Sequence, residues 1–239
     1  MLIGTSALAD DVWTIPDPKK VPDDEMGRLI HRGAYVVEET YEIIGPEVAD
    51  AAKRYAGNNL ACASCHMLNG TVKFGFPLAG VSEPIEDKVN TCLVINMSGR
   101  PLPADAPEMT AIVAYVRFLG SQMTPAQAAA GRGVRPLAVA GNAAQGKAVF
   151  AEICAVCHSR NGLGKRTGVI GDAHGYRVPP LWGKDSFTGK SPLMRPEVLA
   201  GFIHNNMPDG ASWDNPVLTP EDSANAAAYI LTAPRPQKE

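Results

Sequence analysis

Aromatic side chains are scarce in this chain of 239 residues, at 6%, so the polypeptide brings few bulky groups to a core. Gly (23) and Pro (20) are abundant instead, which favours loops and leaves room for a large cofactor to complete the interior. A surplus of positive charge is also missing. The 22 Lys+Arg against 25 Asp+Glu give a net charge of -3, with no broad basic surface, and this excludes nucleic acid as a partner. No run approaches the roughly 18 uninterrupted apolar residues that span a bilayer, which excludes a membrane-spanning helix. Nor is this the composition of a disordered chain, since 45% of residues are hydrophobic and 20% charged. These values describe a soluble globular protein with one or two compact cores.

What is present is a repeated cysteine pattern. Four of the 5 cysteines fall into Cys62-Ala63-Ser64-Cys65-His66 and Cys154-Ala155-Val156-Cys157-His158, which leaves Cys92 over. In Cys-x-x-Cys-His the two thiols add to the vinyl groups of a haem as thioethers, and the adjacent His offers an imidazole nitrogen to the iron. A thioredoxin-like redox pair or a zinc site needs no His directly after the second Cys, and no strand-helix-strand pattern surrounds either copy. Each motif therefore predicts one covalent haem c, held by Cys62, Cys65 and His66 and by Cys154, Cys157 and His158. Attachment of this kind is completed outside the bacterial cytoplasm, which predicts a periplasmic protein. Ala7-Leu8-Ala9 before Asp10 reads accordingly as a signal-peptidase site, so residues 1–9 are expected to be a signal remnant, against the alternative of a plain flexible terminus.

Local patterns repeat around the two motifs. Asn142 and Gln145 form a capping signal, and Gly146, Val149, Phe150 and Ile153 recur at helical spacing into Cys154. Met26, Leu29, Ile30, Gly33, Ala34 and Val37 make the corresponding stripe before Cys62, with an inserted polar segment through Gly57, Asn58 and Asn59. Pro107-Glu108 opens a closing helix with Met109, Ile112, Val113, Val116 and Leu119 on one face, and Thr219-Pro220 opens another. The expected fold is mainly α: two tandem class I cytochrome c domains, over 10–120 and 142–239, each built around one haem. The Ala-, Gly- and Pro-rich stretch 121–141 reads as the linker, and Pro234 to Glu239 as an unpacked tail.

The opposite iron position decides between electron transfer and chemistry. For haem two the leading residue is Met207, in a loop after the stripe Val198, Leu199, Phe202 and Ile203, with Met194 and His204 as rivals. The Pro179-Pro180-Leu181 turn is placed to present a carbonyl to the free nitrogen of His158. For haem one, Asn96-Met97 echoes Asn206-Met207 and favours Met97, whereas the chemistry of a lone thiol favours Cys92, because thiolate is a strong iron ligand.

The chain resembles the dihaem thiosulfate dehydrogenases, distant relatives of the SoxA subunit of the sulfur-oxidising cytochromes. The resemblance covers most of the chain. It shows in Gly57 to Cys62, in Cys92 with Met97 to Leu102, in Pro179 to Gly183 with Ser186-Phe187, and in Ala200 to Pro208. It implies that Cys92 is the thiolate ligand of an active-site haem and Met207 the ligand of an electron-transfer haem. It further implies that two thiosulfates are coupled to tetrathionate, or the reverse, with electrons passed to a periplasmic cytochrome c or other acceptor. Lys73, Lys88 and Arg100 flank haem one in sequence and are expected to offset the repulsion between two dianions, with Cys92, Lys88 and Arg100 as the catalytic set. The family commonly has an Arg before the ligand Cys and Arg-Ser after it, where this chain has Lys88, Ile95 and Asn96. The competing reading is a non-catalytic dihaem cytochrome that serves another dehydrogenase.

Overall fold

A computed structural model describes residues 13–236. The expected cleavage site at Ala7-Leu8-Ala9 lies outside the described residues. The chain is mainly helical. Helices α1 (Glu25–Glu38) and α2 (Thr40–Ile43) are followed by 3-10 turns at Ala51–Lys53 and Cys62–Ser64, then by α3 (Met67–Gly70) and α4 (Ile85–Thr91). Helix α4 runs into a π-turn at Cys92–Asn96, followed by α5 (Pro107–Gly120) and α6 (Pro125–Gly131). Helix α7 (Ala143–Val149) runs into a second π-turn at Phe150–Cys154, and α8 (Ala155–His158) follows. An antiparallel pair, β1 (Lys165–Arg166) and β2 (Tyr176–Val178), precedes α9 (Pro196–Asn206) and α10 (Pro220–Leu231). No helix among the described residues is long and apolar enough to cross a membrane.

The helix ends follow from their capping residues. The Asp24 side chain accepts from Gly27 N to start α1, Asn142 accepts from Ala144 N and Gln145 N to start α7, and Thr219 accepts from Asp222 N at α10. Pro107 and Pro220 occupy the first turns of α5 and α10, where a missing N–H costs nothing. Along α1 the buried face is Gly27, Ile30, Gly33, Val36 and Val37. Met26, expected on that stripe, faces solvent because Gly27 takes the close approach to the Pro22 carbonyl.

The two halves repeat one helix crossing. Gly33 of α1 lies on α5, where a Cβ would collide with the Ala111 carbonyl oxygen and stand 2.7 Å from Tyr115 Cβ. Gly146 of α7 lies on α10 in the same way, where a Cβ would collide with the Asn225 carbonyl oxygen and stand 2.9 Å from Tyr229 Cβ. One core gathers Val36, Ile44, Leu60, Leu93, Met109 and Ile112; another gathers Phe150, Leu193, Val198, Phe202 and Ile230. Aromatic rings concentrate in the second, where Phe150 packs 5.1 Å from Trp182 and 5.4 Å from Tyr229 between ring centroids.

Contacts between the halves combine specific hydrogen bonds with apolar packing. Asn58 Nδ2 donates to Ser186 O at 3.2 Å, Thr188 N donates to Asn96 O at 3.3 Å, and Thr188 Oγ1 donates to Ile95 O. In the other direction Asn206 Nδ2 donates to Phe74 O at 3.2 Å, and the Phe76 and Phe202 rings stack at 5.7 Å. Stretch 121–141 is structured: it carries α6, and the Gly131 and Gly133 carbonyls accept from Phe74 N and Phe76 N at 3.1 and 2.9 Å. Nor are residues 234–236 an unpacked tail. Arg235 is buried, stacks on Phe187 at 3.9 Å, and donates to the Leu181 and Ile230 carbonyls, while Pro234 O and Pro236 O accept from Gly183 N and Gly189 N.

His174, in the loop between β1 and β2, meets Glu42 of α2 at 2.9 Å. The Glu42 hydrogen bond, with the Asp172 charge behind it, holds this imidazole above its ordinary value. A raised histidine contributes stability that is full below its unfolded value of about 6.5 and is lost as pH rises through the folded value. His174→Gln is therefore expected to lower the urea midpoint at about pH 5.5 and to match the parent protein at about pH 9, where neither has a charged partner for Glu42. A difference equal at both pH values would mean that packing, not charge, is the contribution. Exposure of the pair keeps the effect small.

Candidate active site

The 3-10 turn at Cys62–Ser64 is closed by Ser64 N to Ala61 O at 3.0 Å and by Ala61 N to Ser64 Oγ at 3.1 Å. His66 N donates to Cys62 O at 2.9 Å, so Cys62, Cys65 and His66 come round to one wall. Thr40, fully buried, accepts from Cys62 N at 2.9 Å and lies 3.3 Å from Cys62 Sγ. His66 Nδ1 donates to Phe76 O at 2.6 Å, which leaves Nε2 as the coordinating nitrogen. That carbonyl is held in an unusual loop: Phe74 and Phe76 both take positive φ, 60 and 50 degrees, on either side of buried Gly75. Non-glycine residues adopt this region at a cost, and the hydrogen bonds that Phe74 N and Phe76 N donate to the Gly131 and Gly133 carbonyls hold them there.

The facing wall is built by α4 and the π-turn. Met97 N donates to Cys92 O at 3.2 Å, a five-residue step of the kind that marks functional positions in helices. An apolar cavity of about 230 Å³ lies between the walls, lined by Cys62, Cys65 and His66 on one side and Cys92, Met97 and Lys88 on the other. Phe187, Ser191, Pro192 and Leu193 of the second half complete its lining. Burial pushes the Cys65 thiol up to about 12 and raises Cys62 and Cys92 as well, while it lowers His66. An uncharged pair of sulfurs and a neutral imidazole in an apolar space are what thioether attachment and iron coordination require, so these residues fit a covalent haem.

The second motif is entered from the π-turn Phe150–Cys154 and continues through α8. His158 Nδ1 donates to Pro179 O at 2.8 Å, the carbonyl expected from the sequence. Burial lowers the His158 value against the opposing effect of that bond, and burial raises Cys154 to about 11. Met207 closes α9 and packs, half-buried, against the second core, as do Cys154 and Met194. His204 lies 3.5 Å from Ser223 Oγ. The donor set again fits a haem.

Of the cations expected near the substrate, the structure brings one to the cavity. Lys88 lines it. Arg100 does not: its Nε and Nη2 donate to Arg54 O and Ala52 O at 2.9 and 2.6 Å, and its guanidinium stacks on Tyr55 at 3.9 Å. The Gly57 and Gly99 backbones pass close together here, which turns the side chain after Gly99 toward the 51–54 turn. Lys73 is buried with its Nζ 4.6 Å from the Trp213 ring centroid and is also not a lining residue.

The family model of cytochrome c matches residues 143–234, which contain the second motif and its Pro179 carbonyl. The thiosulfate dehydrogenase of Stutzerimonas stutzeri (strain A1501) is 32% identical over 238 residues, spanning 93% of this chain and 72% of that protein. The chain belongs to the thiosulfate dehydrogenase family. Its membership makes it an oxidoreductase and a c-type cytochrome. The thiosulfate dehydrogenase of Allochromatium vinosum is 29% identical over 260 residues, spanning 99% of this chain and 90% of that one. Among solved structures, thiosulfate dehydrogenase TsdBA from Marichromatium purpuratum superposes with a TM-score of 0.77 at 26% identity. It matches 94% of this chain, which spans 50% of that longer chain.

Sequence reasoning missed Thr40, Phe76 and the Phe187–Leu193 wall. Phe76 had a signal: Phe74-Gly75-Phe76-Pro77 stands after the first motif as the Pro179 turn stands after the second. The wall had none, because it comes from across the chain.

Proposed function

We propose that this chain is a periplasmic dihaem cytochrome that couples two thiosulfate anions into tetrathionate, or runs the reverse reaction. The observation that carries this reading is that Cys92 lines the same apolar cavity as Cys62, Cys65 and His66. Two tandem cytochrome c domains, 10–120 and 142–239 joined through 121–141, each hold one haem in this reading. His66 and Cys92 would hold the iron of haem one, and His158 and Met207 that of haem two. The haems, when bound, each take one of the two electrons released as the sulfur–sulfur bond forms. Cys92 supplies thiolate to the first site, Lys88 offsets anionic charge at its margin, and the His66–Phe76 and His158–Pro179 hydrogen bonds fix each imidazole. A thiolate from Cys92 would favour ferric iron and the Met207 thioether ferrous iron, so this ligand pair would make the second site the better electron acceptor and a small cytochrome or other acceptor the onward partner.

Intact mass is expected to exceed the polypeptide by two haems, and steady-state assays with an artificial acceptor are expected to show thiosulfate turnover. One haem, or none, would sink this reading. Met207→Gly is expected to abolish the methionine-to-iron charge-transfer band and to slow delivery to the acceptor while reduction of haem one by substrate persists. A band that survives belongs to another methionine, Met97 at haem one or Met194 at haem two, and a second replacement at each tells them apart. Arg100, turned away to Ala52 and Arg54, favours the second reading of an electron carrier without a substrate site. Rapid exchange with other cytochromes, with no turnover of thiosulfate or tetrathionate, is the result that selects it.

A further inference from the structure

We infer that Asn96 is a positioning residue for the Cys92 sulfur, and that the second half of the chain aims it through Thr188. The inference rests on Cys92 as the haem-one ligand and goes beyond it. Asn96 is half-buried and lines the same cavity, with its Nδ2 3.7 Å from Cys92 Sγ. Asn96 stands four residues after Cys92 in the turn, the spacing that puts two side chains on one helical face. An amide has a donor end and an acceptor end, and the donor end, Nδ2, is the one turned to the Cys92 sulfur, the end that a thiolate accepts from.

The amide is not left to find that orientation alone. Thr188, 1% exposed, holds the turn from the other half by donating from N to Asn96 O at 3.3 Å and from Oγ1 to Ile95 O. Its neighbours Phe187 and Ser191 line the cavity, and Ser186 O receives Asn58 Nδ2 at 3.2 Å. One short segment of the second half thus lines the haem-one cavity and holds the backbone from which the Asn96 amide projects. A hydrogen bond to a thiolate draws electron density from sulfur, weakens its donation to ferric iron and raises the potential of that site. Asn96 accordingly sets how strongly Cys92 favours the oxidised haem.

The test is a spectroelectrochemical titration of the holoprotein, with electron paramagnetic resonance on the oxidised form. Asn96→Leu, similar in size with no donor, is expected to shift the haem-one potential downward, to change the low-spin thiolate signal and to leave haem two in place. Thr188→Val removes one bond of the clamp and is expected to shift haem one in the same direction by less. Asn96→Gln, which keeps the amide, is expected to restore the potential part of the way. An unchanged haem-one potential in Asn96→Leu, in protein whose parent shows the thiolate signal, overturns the inference and leaves Cys92 ligation standing. A parent protein without that signal, unaltered by Cys92→Ala, overturns both.

Discussion

On the proposed ligation of haem one by Cys92, Cys92→Met is expected to lower thiosulfate turnover by orders of magnitude in a protein that keeps its fold and its haem content. The side chains are close in polarity, and methionine is flexible enough to fit a cavity wall that already includes Met97. What changes is charge and reactivity at the sulfur. A neutral thioether favours ferrous iron, so the haem-one potential should rise toward that of the Met207 site and the downhill step between them should shrink. The defect belongs in kcat rather than KM, because Lys88 and the cavity wall remain to bind an anion. Potentiometry and steady-state kinetics on one preparation check both halves of the expectation. Normal turnover with a raised potential would assign Cys92 to tuning alone and place the chemistry elsewhere.

How much of this was legible beforehand depends on whether the cause was local. The c-type cytochrome character was, since Cys-x-x-Cys-His puts the residues for two covalent bonds and one ligand into five adjacent positions. The helices were too: Asn142, Thr219, Pro107 and Pro220 announce their starts and apolar periodicity announces their faces. The Pro179 carbonyl at His158 was readable from the turn chemistry of Pro179-Pro180. Arg100 misled because its place in sequence, near Cys92, says nothing of direction; the close passage of 55–57 past 97–99 sends it to the Ala52 and Arg54 carbonyls. Arg235 misled in the opposite sense, a charged residue near the chain end that buries itself by stacking on Phe187. The Thr188 clamp on Asn96 spans the two halves, and no periodicity reports a contact of that range.

The glycines at the two helix crossings show the same boundary from the side of stability, and the larger expected loss lies there. Gly33 and Gly146 were readable as members of an apolar stripe, yet the stripe treats them as small hydrophobes, whereas the structure uses them as gaps through which one helix backbone touches the next. Any Cβ at Gly146 overlaps the Asn225 carbonyl oxygen, and backbone cannot rotate away as a side chain can. Gly146→Val must therefore separate α7 from α10, loosening the Phe150, Trp182 and Tyr229 ring cluster that rests on both. Overpacking of this kind costs about 1–3 kcal/mol, which for a chain of this length lowers Tm by about 2–4 °C per kcal/mol. Gly33→Val forces α1 from α5 by the same collision with Ala111 O. The consequences should differ. Phe187 and Leu193 belong to the second core and line the haem-one cavity, so Gly146→Val is expected to disturb both haem spectra, whereas Gly33→Val should disturb haem one first. Thermal melts followed separately at the methionine-to-iron band and at the Soret band measure this. A Gly146→Val protein that melts at the parent temperature, with both spectra intact, would show that the crossing has room the packing denies.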